Sequence, residues 1–207
     1  MTPRRRPPAA RRRMVRRRVR LMRLMVLAAL VLVAAVVTDL LDRPPASVPV
    51  RNPGPAVTLP APPRPWSGES TGCTVPDPTG TEGCVTAATA WLVGEVDTAF
   101  GDVPVTCWSE HAWNPRSDHP AGRGCDLFFG SAGERAATAD LLEGWRAAQW
   151  LRRHAEALEV RYLIWQGRIW RADRADQGWA RYDGGGVYDP SDATGGHYDH
   201  VHVSVRR

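Results

Sequence analysis

The segment His197-Tyr198-Asp199-His200-Val201-His202-Val203-Ser204 holds three of the chain's six histidines within six positions. From His200 onward apolar and polar residues alternate, the pattern of a half-buried β-strand in which every second side chain faces the same way. His200, His202 and Ser204 therefore share one face, and Val201 and Val203 the other. Of two imidazoles two residues apart on one strand face, one can bind zinc while the other stands beside the open coordination position. Asp199 lies three before His202, so strict alternation turns it away, and it joins them only at the strand entrance, where Gly195-Gly196 gives the backbone freedom.

A second segment supplies partners. Ser117-Asp118-His119-Pro120-Ala121-Gly122-Arg123-Gly124-Cys125-Asp126 separates His119 from Asp126 by six residues that include two glycines. His119 on a loop and Asp126 on the strand that follows can meet if glycine allows the turn between them. Asp126 stands in the apolar run Cys125 to Phe129, where an unpartnered carboxylate is costly. Imidazole nitrogen and carboxylate oxygen are ordinary zinc ligands, and a catalytic zinc takes three of them and leaves one position open. The two segments read as a zinc site. His111 reads as structural or substrate-side, His154 as a solvated helix residue, and His197 as either loop packing or support for a ligand.

The elements around these segments alternate in type. Thr86 to Phe100 has apolar residues at helical spacing and stops at Gly101-Asp102. Val103 to Trp108 reads as a strand, with Pro104 at its start or edge, and Gly124 to Phe129 as a buried strand. Arg135 to Leu158 reads as an amphipathic helix despite Gly144. Val160–Trp165 and Arg168–Trp170 form a hairpin across Gln166-Gly167, residues 173–196 a loop, and His200–Val205 the closing strand. This order gives an α+β fold, a small antiparallel sheet with packed helices. Trp145, Trp150, Trp165 and Trp170 belong to the core, whereas Trp108 and Trp113, beside the first histidine segment, are candidates to line a substrate groove.

Charge divides the chain. All 27 basic residues are arginine, and 11 of them fall in residues 1–23, which contain no acid; beyond them 16 basic residues face 22 acidic ones. The apolar run Leu24–Thr38 follows directly, extended by Leu40-Leu41. Signal peptide and signal anchor both fit such a segment, and the lack of a clear cleavage site favours an uncleaved anchor. Arginines before an apolar segment set its topology. The organisation expected is an Arg-rich cytoplasmic tail (1–23), a membrane segment (24–41), a Pro-rich extracytoplasmic linker (42–71) and a folded domain (72–207). The expected location is the plasma membrane, single pass with the domain outside, or secreted if the segment is cleaved. No nucleic-acid partner is expected. Four cysteines suit export; the sequence allows three pairings, of which Cys73 with Cys84 and Cys107 with Cys125 is the one expected.

His-x-x-Gly-x-x-x-Asp followed by Asp-His-x-His resembles the superfamily of zinc-dependent D-Ala-D-Ala carboxypeptidases and Hedgehog-type domains, over roughly Cys73 to the end. The block Val160 to Trp170 with the terminal histidine segment is similar, more closely, to an exported actinobacterial domain of uncertain activity. The resemblance implies Zn2+ on His119, Asp126 and His202, Asp199 as general base acting on the zinc-bound water, and His200 stabilising the tetrahedral oxyanion. It implies peptidoglycan stem peptides as substrate and peptide-bond hydrolysis as the reaction, or else a non-catalytic zinc-containing cell-wall module with the same fold. Members often carry Glu where Asp199 stands, and they hold the substrate carboxylate with an upstream arginine, for which Arg116 and Arg123 are the candidates.

Overall fold

The computed structural model describes Met22, Met25, residues 58–69 and residues 72–206. Contacts divide the chain into two units, residues 1–56 and Val57–Arg207. In the first, Met22 and Met25 are helical and exposed; the rest of the Arg-rich tail, the rest of the 24–41 segment and residues 42–57 of the linker lie outside the described residues. No helix among the described residues is long and apolar enough to cross a membrane.

The second unit is α+β. A hairpin of β1 (Val75–Pro76) and β2 (Cys84–Val85) leads into helix α1 (Ala87–Phe100). Thr86 caps α1, its hydroxyl accepting from the Thr89 N–H at 3.1 Å, and Gly101 ends it at φ 72°. Then follow β3 (Val105–Thr106), β4 (Gly124–Phe128), helix α2 (Thr138–Arg153), β5 (Val160–Trp165), β6 (Arg168–Arg171), β7 (Ala180–Arg181) and β8 (His200–Val205). The six strands from β3 onward make one antiparallel sheet in the order β3-β4-β8-β5-β6-β7. The closing strand thus lies at its centre, between β4 and β5, which is why all six of its residues are buried.

Alternation sorts the two faces of the sheet. Cys125, Leu127, Leu163, Trp165, Trp170, Val201 and Val203 join Ala147, Ala148, Trp150 and Leu151 of α2 in the core. Gly144 is what lets α2 lie on the sheet: a Cβ there would come within 2.3 Å of the Trp165 ring. The other face carries Asp126, Tyr162, Ile164, Ile169, Arg171 and the two histidines of β8, all of which line one pocket.

The disulfides pair Cys73 with Cys84 and Cys107 with Cys125. The second lies in the core and ties the end of β3 to β4, both cysteines at most 1% exposed. Several elements are shorter than their sequence pattern. The strand read over Val103 to Trp108 keeps only two residues, because Pro104 has no N–H and the next groups are taken elsewhere: the Cys107 carbonyl bonds His119 and the Trp108 N–H bonds Asp77. Helix α2 is shorter at both ends than the 135–158 pattern. The β1–β2 hairpin, β7 and two short 3-10 turns within 172–186 have no counterpart in the periodicity. The Gln166-Gly167 turn has both residues at positive φ, 51° and 65°, as a two-residue hairpin requires. Residues 58–69, from the Pro-rich stretch, lie along the helices, with the Trp66 N–H donating to the Ala157 carbonyl at 2.7 Å.

Candidate metal centre

The site is assembled on the sheet by register. Asp126 of β4 stands directly opposite His202 of β8, and Ile164 of β5 opposite the same histidine on its other side. One row along, Gly124, Ser204 and Tyr162 are neighbours. Gly124 matters because its position is crowded: a Cβ would sit 3.2 Å from both the His119 backbone nitrogen and His202 Cε1. Any larger residue would press the first ligand loop away from the second ligand.

His119 is brought to Asp126 by the loop before β4. Its neighbour Asp118, 3% exposed, accepts from Ser204 Oγ at 2.6 Å and from an Arg123 guanidinium nitrogen at 2.6 Å, which fastens the loop to β8. The Nδ1 of His119 bonds the Cys107 carbonyl. A carbonyl only accepts, so Nδ1 carries the proton and the lone pair is on Nε2, 3.4 Å from Asp126 Oδ2. His202 Nδ1 lies 2.8 Å from Asp126 Oδ1. Ligand atoms of His119, Asp126 and His202 all fall within 4.8 Å of one another, and this buried His–Asp–His group can hold a metal ion. Two imidazole nitrogens and a carboxylate oxygen this close together are a donor set that suits a divalent cation.

His200 stands beside this group. Its Nε2 is 3.4 Å from Asp126 Oδ1 and its Nδ1 2.6 Å from Asp199 Oδ1. Asp199 is fully buried, and its other oxygen accepts from the Gly133 N–H at 2.7 Å and Thr194 Oγ1 at 2.9 Å. Burial alone would raise its pKa, but those donors and His200 hold it down at about 2. Asp199 does not line the pocket. The family resemblance implies Asp199 as the base acting on the zinc-bound water; in the structure its carboxylate stands behind His200, 2.6 Å from Nδ1, and is not on the pocket wall.

The electrostatics follow from the same packing. Burial opposes charge on His119 and His200, yet the Asp126 carboxylate raises the pKa of both above the ordinary value. Burial wins at His202 and takes its pKa down. Asp126 is held well below the usual carboxylate range by the imidazoles around it, against its burial.

The remaining predicted residues divide. Arg116 lines the pocket, of about 380 Å3. Arg123 does not, because its guanidinium is spent on Asp118. Trp108 lies over Gly83, where a Cβ would come within 1.9 Å of its ring, and takes no part in the pocket. Trp113 is 66% exposed and rests its ring on His111 at 4.9 Å. His111 in turn stacks on His119 with centroids 4.8 Å apart and lines the pocket. His197 is buried, its ring 4.7 Å from that of His200, and burial with the neighbouring histidines takes its pKa well below the ordinary range. Five of the six histidines thus gather at one pocket. Sequence spacing gave no sign of Tyr162, Arg161 and Arg171, whose positions depend on strand pairing.

Fold and site together define a disulfide-bonded α+β domain with a His–Asp–His group that can hold a metal ion, in a pocket on one sheet face. The family model for the VldE C-terminal domain matches residues 81–198, more than half of the chain, and the chain belongs to that family. The matched span includes His119 and Asp126 and ends just before His200. No curated protein and no solved structure matches the chain.

Proposed function

We propose that this protein is a membrane-anchored, extracytoplasmic zinc metallopeptidase that hydrolyses peptide bonds in peptidoglycan stem peptides. The observation that carries the reading is the convergence of His119, Asp126 and His202 in one pocket with an Asp199–His200 pair beside them. The two disulfides support an oxidising compartment, and the arginine run before an apolar segment supports the anchor.

His119, through Nε2, with Asp126 and His202 would hold the zinc. Zinc bound there supplies Lewis acidity and brings the pKa of water to about 7. His200 Nε2 takes the proton of the attacking water and returns it to the leaving amine. Asp199 fixes the His200 tautomer by accepting from Nδ1–H, and its burial keeps that contact out of competition with solvent. As an imidazolium, His200 also donates to the developing oxyanion.

The second reading is a non-catalytic zinc-containing cell-wall module, and one observation favours it: the carboxylate expected as base is not on the pocket wall. Purified full-length protein separates the two. The peptidase reading expects about one zinc per chain by elemental analysis and release of amino acids or shorter peptides from muropeptides, with His119→Ala losing both. Retention on peptidoglycan with no cleavage by the zinc-loaded wild type would give the site to the binding module, and absence of zinc would end both.

A further inference from the structure

One candidate metal ligand is oriented by a cysteine, and a second follows a cysteine in the chain. His119 Nδ1 donates to the Cys107 carbonyl, and Asp126 comes immediately after Cys125. Cys107 and Cys125 are bonded to each other. A single covalent link therefore joins the group that fixes the His119 ring to the strand that carries Asp126. It also lies behind the ligands. Cys125 stands opposite Val203 and Asp126 opposite His202, so alternation sends the sulfur to the core face and the ligands to the pocket face at the same place in the sheet.

The carbonyl has few other restraints. β3 pairs with β4 over two residues only, Val105 with Leu127 and Thr106 with Asp126, and the disulfide continues that pairing by one covalent rung where the ladder stops. Residues 107–123, the path from the carbonyl through His119 to β4, contain neither helix nor strand. Two hydrogen bonds support the start of this path from the β1–β2 turn: the Cys107 N–H donates to Thr79 Oγ1 at 3.2 Å and the Trp108 N–H to an Asp77 oxygen at 2.8 Å. The Cys73–Cys84 bond is placed differently. Both of its cysteines are half-buried, and it meets the ligand loop by packing at Gly122, where a Cβ would come within 2.7 Å of Cys73 Sγ.

We propose that the Cys107–Cys125 disulfide is a redox gate on the metal centre: the dithiol form holds the metal weakly, and oxidation of the pair assembles the site. In that step each thiol gives up a proton and an electron as the S–S bond forms, and both electrons pass to a disulfide-bonded oxidant that leaves as a dithiol. A chain still in a reducing cytoplasm therefore carries an incomplete centre, and the metal is gained where disulfides form. The gate turns once, because both sulfurs are at most 1% exposed and an attacking thiolate has no path to them in the folded domain. The coupling is reciprocal: by whatever factor the disulfide tightens metal binding, the metal favours the disulfide. That the metal is zinc and that it is gained after export rest on the proposed function.

Zinc affinity of the full-length chain, read by competition with a chelating dye, tests this with Zn2+ alone. Cys107→Val with Cys125→Ala keeps apolar volume in the core. It should bind zinc about tenfold to a hundredfold more weakly than wild type, the range for losing a group that orients a ligating histidine. Cys73→Ala with Cys84→Ala should bind as wild type does, and circular dichroism checks the fold of each. Wild type supplies a second reading that does not depend on a core variant folding. In a glutathione redox buffer at fixed free zinc, with thiols trapped and counted by mass spectrometry, zinc should shift the Cys107–Cys125 equilibrium towards the disulfide by the same factor and leave Cys73–Cys84 where it was. Equal zinc affinity in a folded Cys107→Val/Cys125→Ala chain, equal weakening by both double variants, or a Cys107–Cys125 equilibrium that ignores zinc overturns the gate. Wild type that binds no zinc ends the gate and the metal centre together. Zinc that is bound and coupled to the disulfide, with no cleavage of muropeptides, keeps the gate and removes the peptidase.

Discussion

Asp199 and His200 are adjacent in sequence yet have different jobs. The carboxylate has no free edge towards the pocket, because the Gly133 N–H, Thr194 Oγ1 and His200 Nδ1 occupy both its oxygens. Its effect on chemistry passes through the imidazole, whose Nε2 faces Asp126. Asp199→Asn keeps the shape but puts an amide where Nδ1–H must donate, which favours the wrong tautomer of His200. Zinc content should stay near the wild-type level, since none of the three ligands changes, while muropeptide hydrolysis falls by about a hundredfold or more, the usual range for losing a positioned acid–base group. A variant that hydrolyses at the wild-type rate would remove the pair from the mechanism. Loss of zinc instead would show that Asp199 serves the metal centre's architecture.

At the level of elements, short polar turns hold the site's scaffold. Asp77, 7% exposed, accepts from the Thr79 N–H and Oγ1, Thr81 Oγ1 and the Trp108 N–H, at 2.6 to 2.9 Å. It joins the β1–β2 turn to the chain leaving β3, one residue from the Cys107 carbonyl that orients His119. Burial alone would raise its pKa, but those four donors take it below the ordinary 3.8. A carboxyl depressed in the folded state contributes stability that is fully present above 3.8 and is lost as pH falls below it. Asp77→Asn should therefore cost about 1–3 kcal/mol at pH 7 by chemical denaturation, and the gap to wild type should shrink as pH falls from 4 to 2. A gap independent of pH would rule the charge out as its source. Periodicity could not have found this element, because a two-residue hairpin held by side-chain acceptors leaves no repeat. The long elements were legible for the opposite reason: α1, β4, β5, β6 and β8 each turn an apolar face to the core, and that face writes the period. His119, Asp126 and His202 were legible as ligand types on strand and loop. The pocket wall of Tyr162 and Arg171 was not, since the two become neighbours only when β5 pairs with β6.

The whole second unit depends on a stretch whose composition suggests a free spacer. Residues 58–69 run along both helices and the turn after α2. Trp150 Nε1 donates to the Ala61 carbonyl at 3.0 Å, Arg146 Nε to the Thr58 carbonyl at 3.1 Å, and Trp66 N–H to the Ala157 carbonyl at 2.7 Å. The Arg64 guanidinium pairs with Glu95 at 2.7 Å, and Glu95 is only 5% exposed. The same guanidinium lies 4.4 Å from the centroid of the Trp91 ring, which Trp66 approaches at 5.9 Å. Proline suits such a strap, because each fixed φ lowers the entropy lost on docking. Removing it would leave the Glu95 carboxylate buried without its cation and the Trp150 indole N–H without its acceptor. Arg64 itself is 74% exposed, so the ion pair is screened on that side and counts for less than a fully buried one. Together the lost contacts are on the order of 3 kcal/mol at about 1 kcal/mol for each hydrogen bond. A chain starting at Val57 should therefore melt about 6–12 °C above one starting at residue 70, by the slope for a unit of this size. Calorimetry of the two truncated chains checks this, and melting points within about 2 °C would return residues 58–69 to the role of spacer. The metal ligands lie on the opposite sheet face from α2, so both chains should bind zinc equally when folded. The strap then sets the temperature at which the domain unfolds and leaves the pocket's chemistry unchanged.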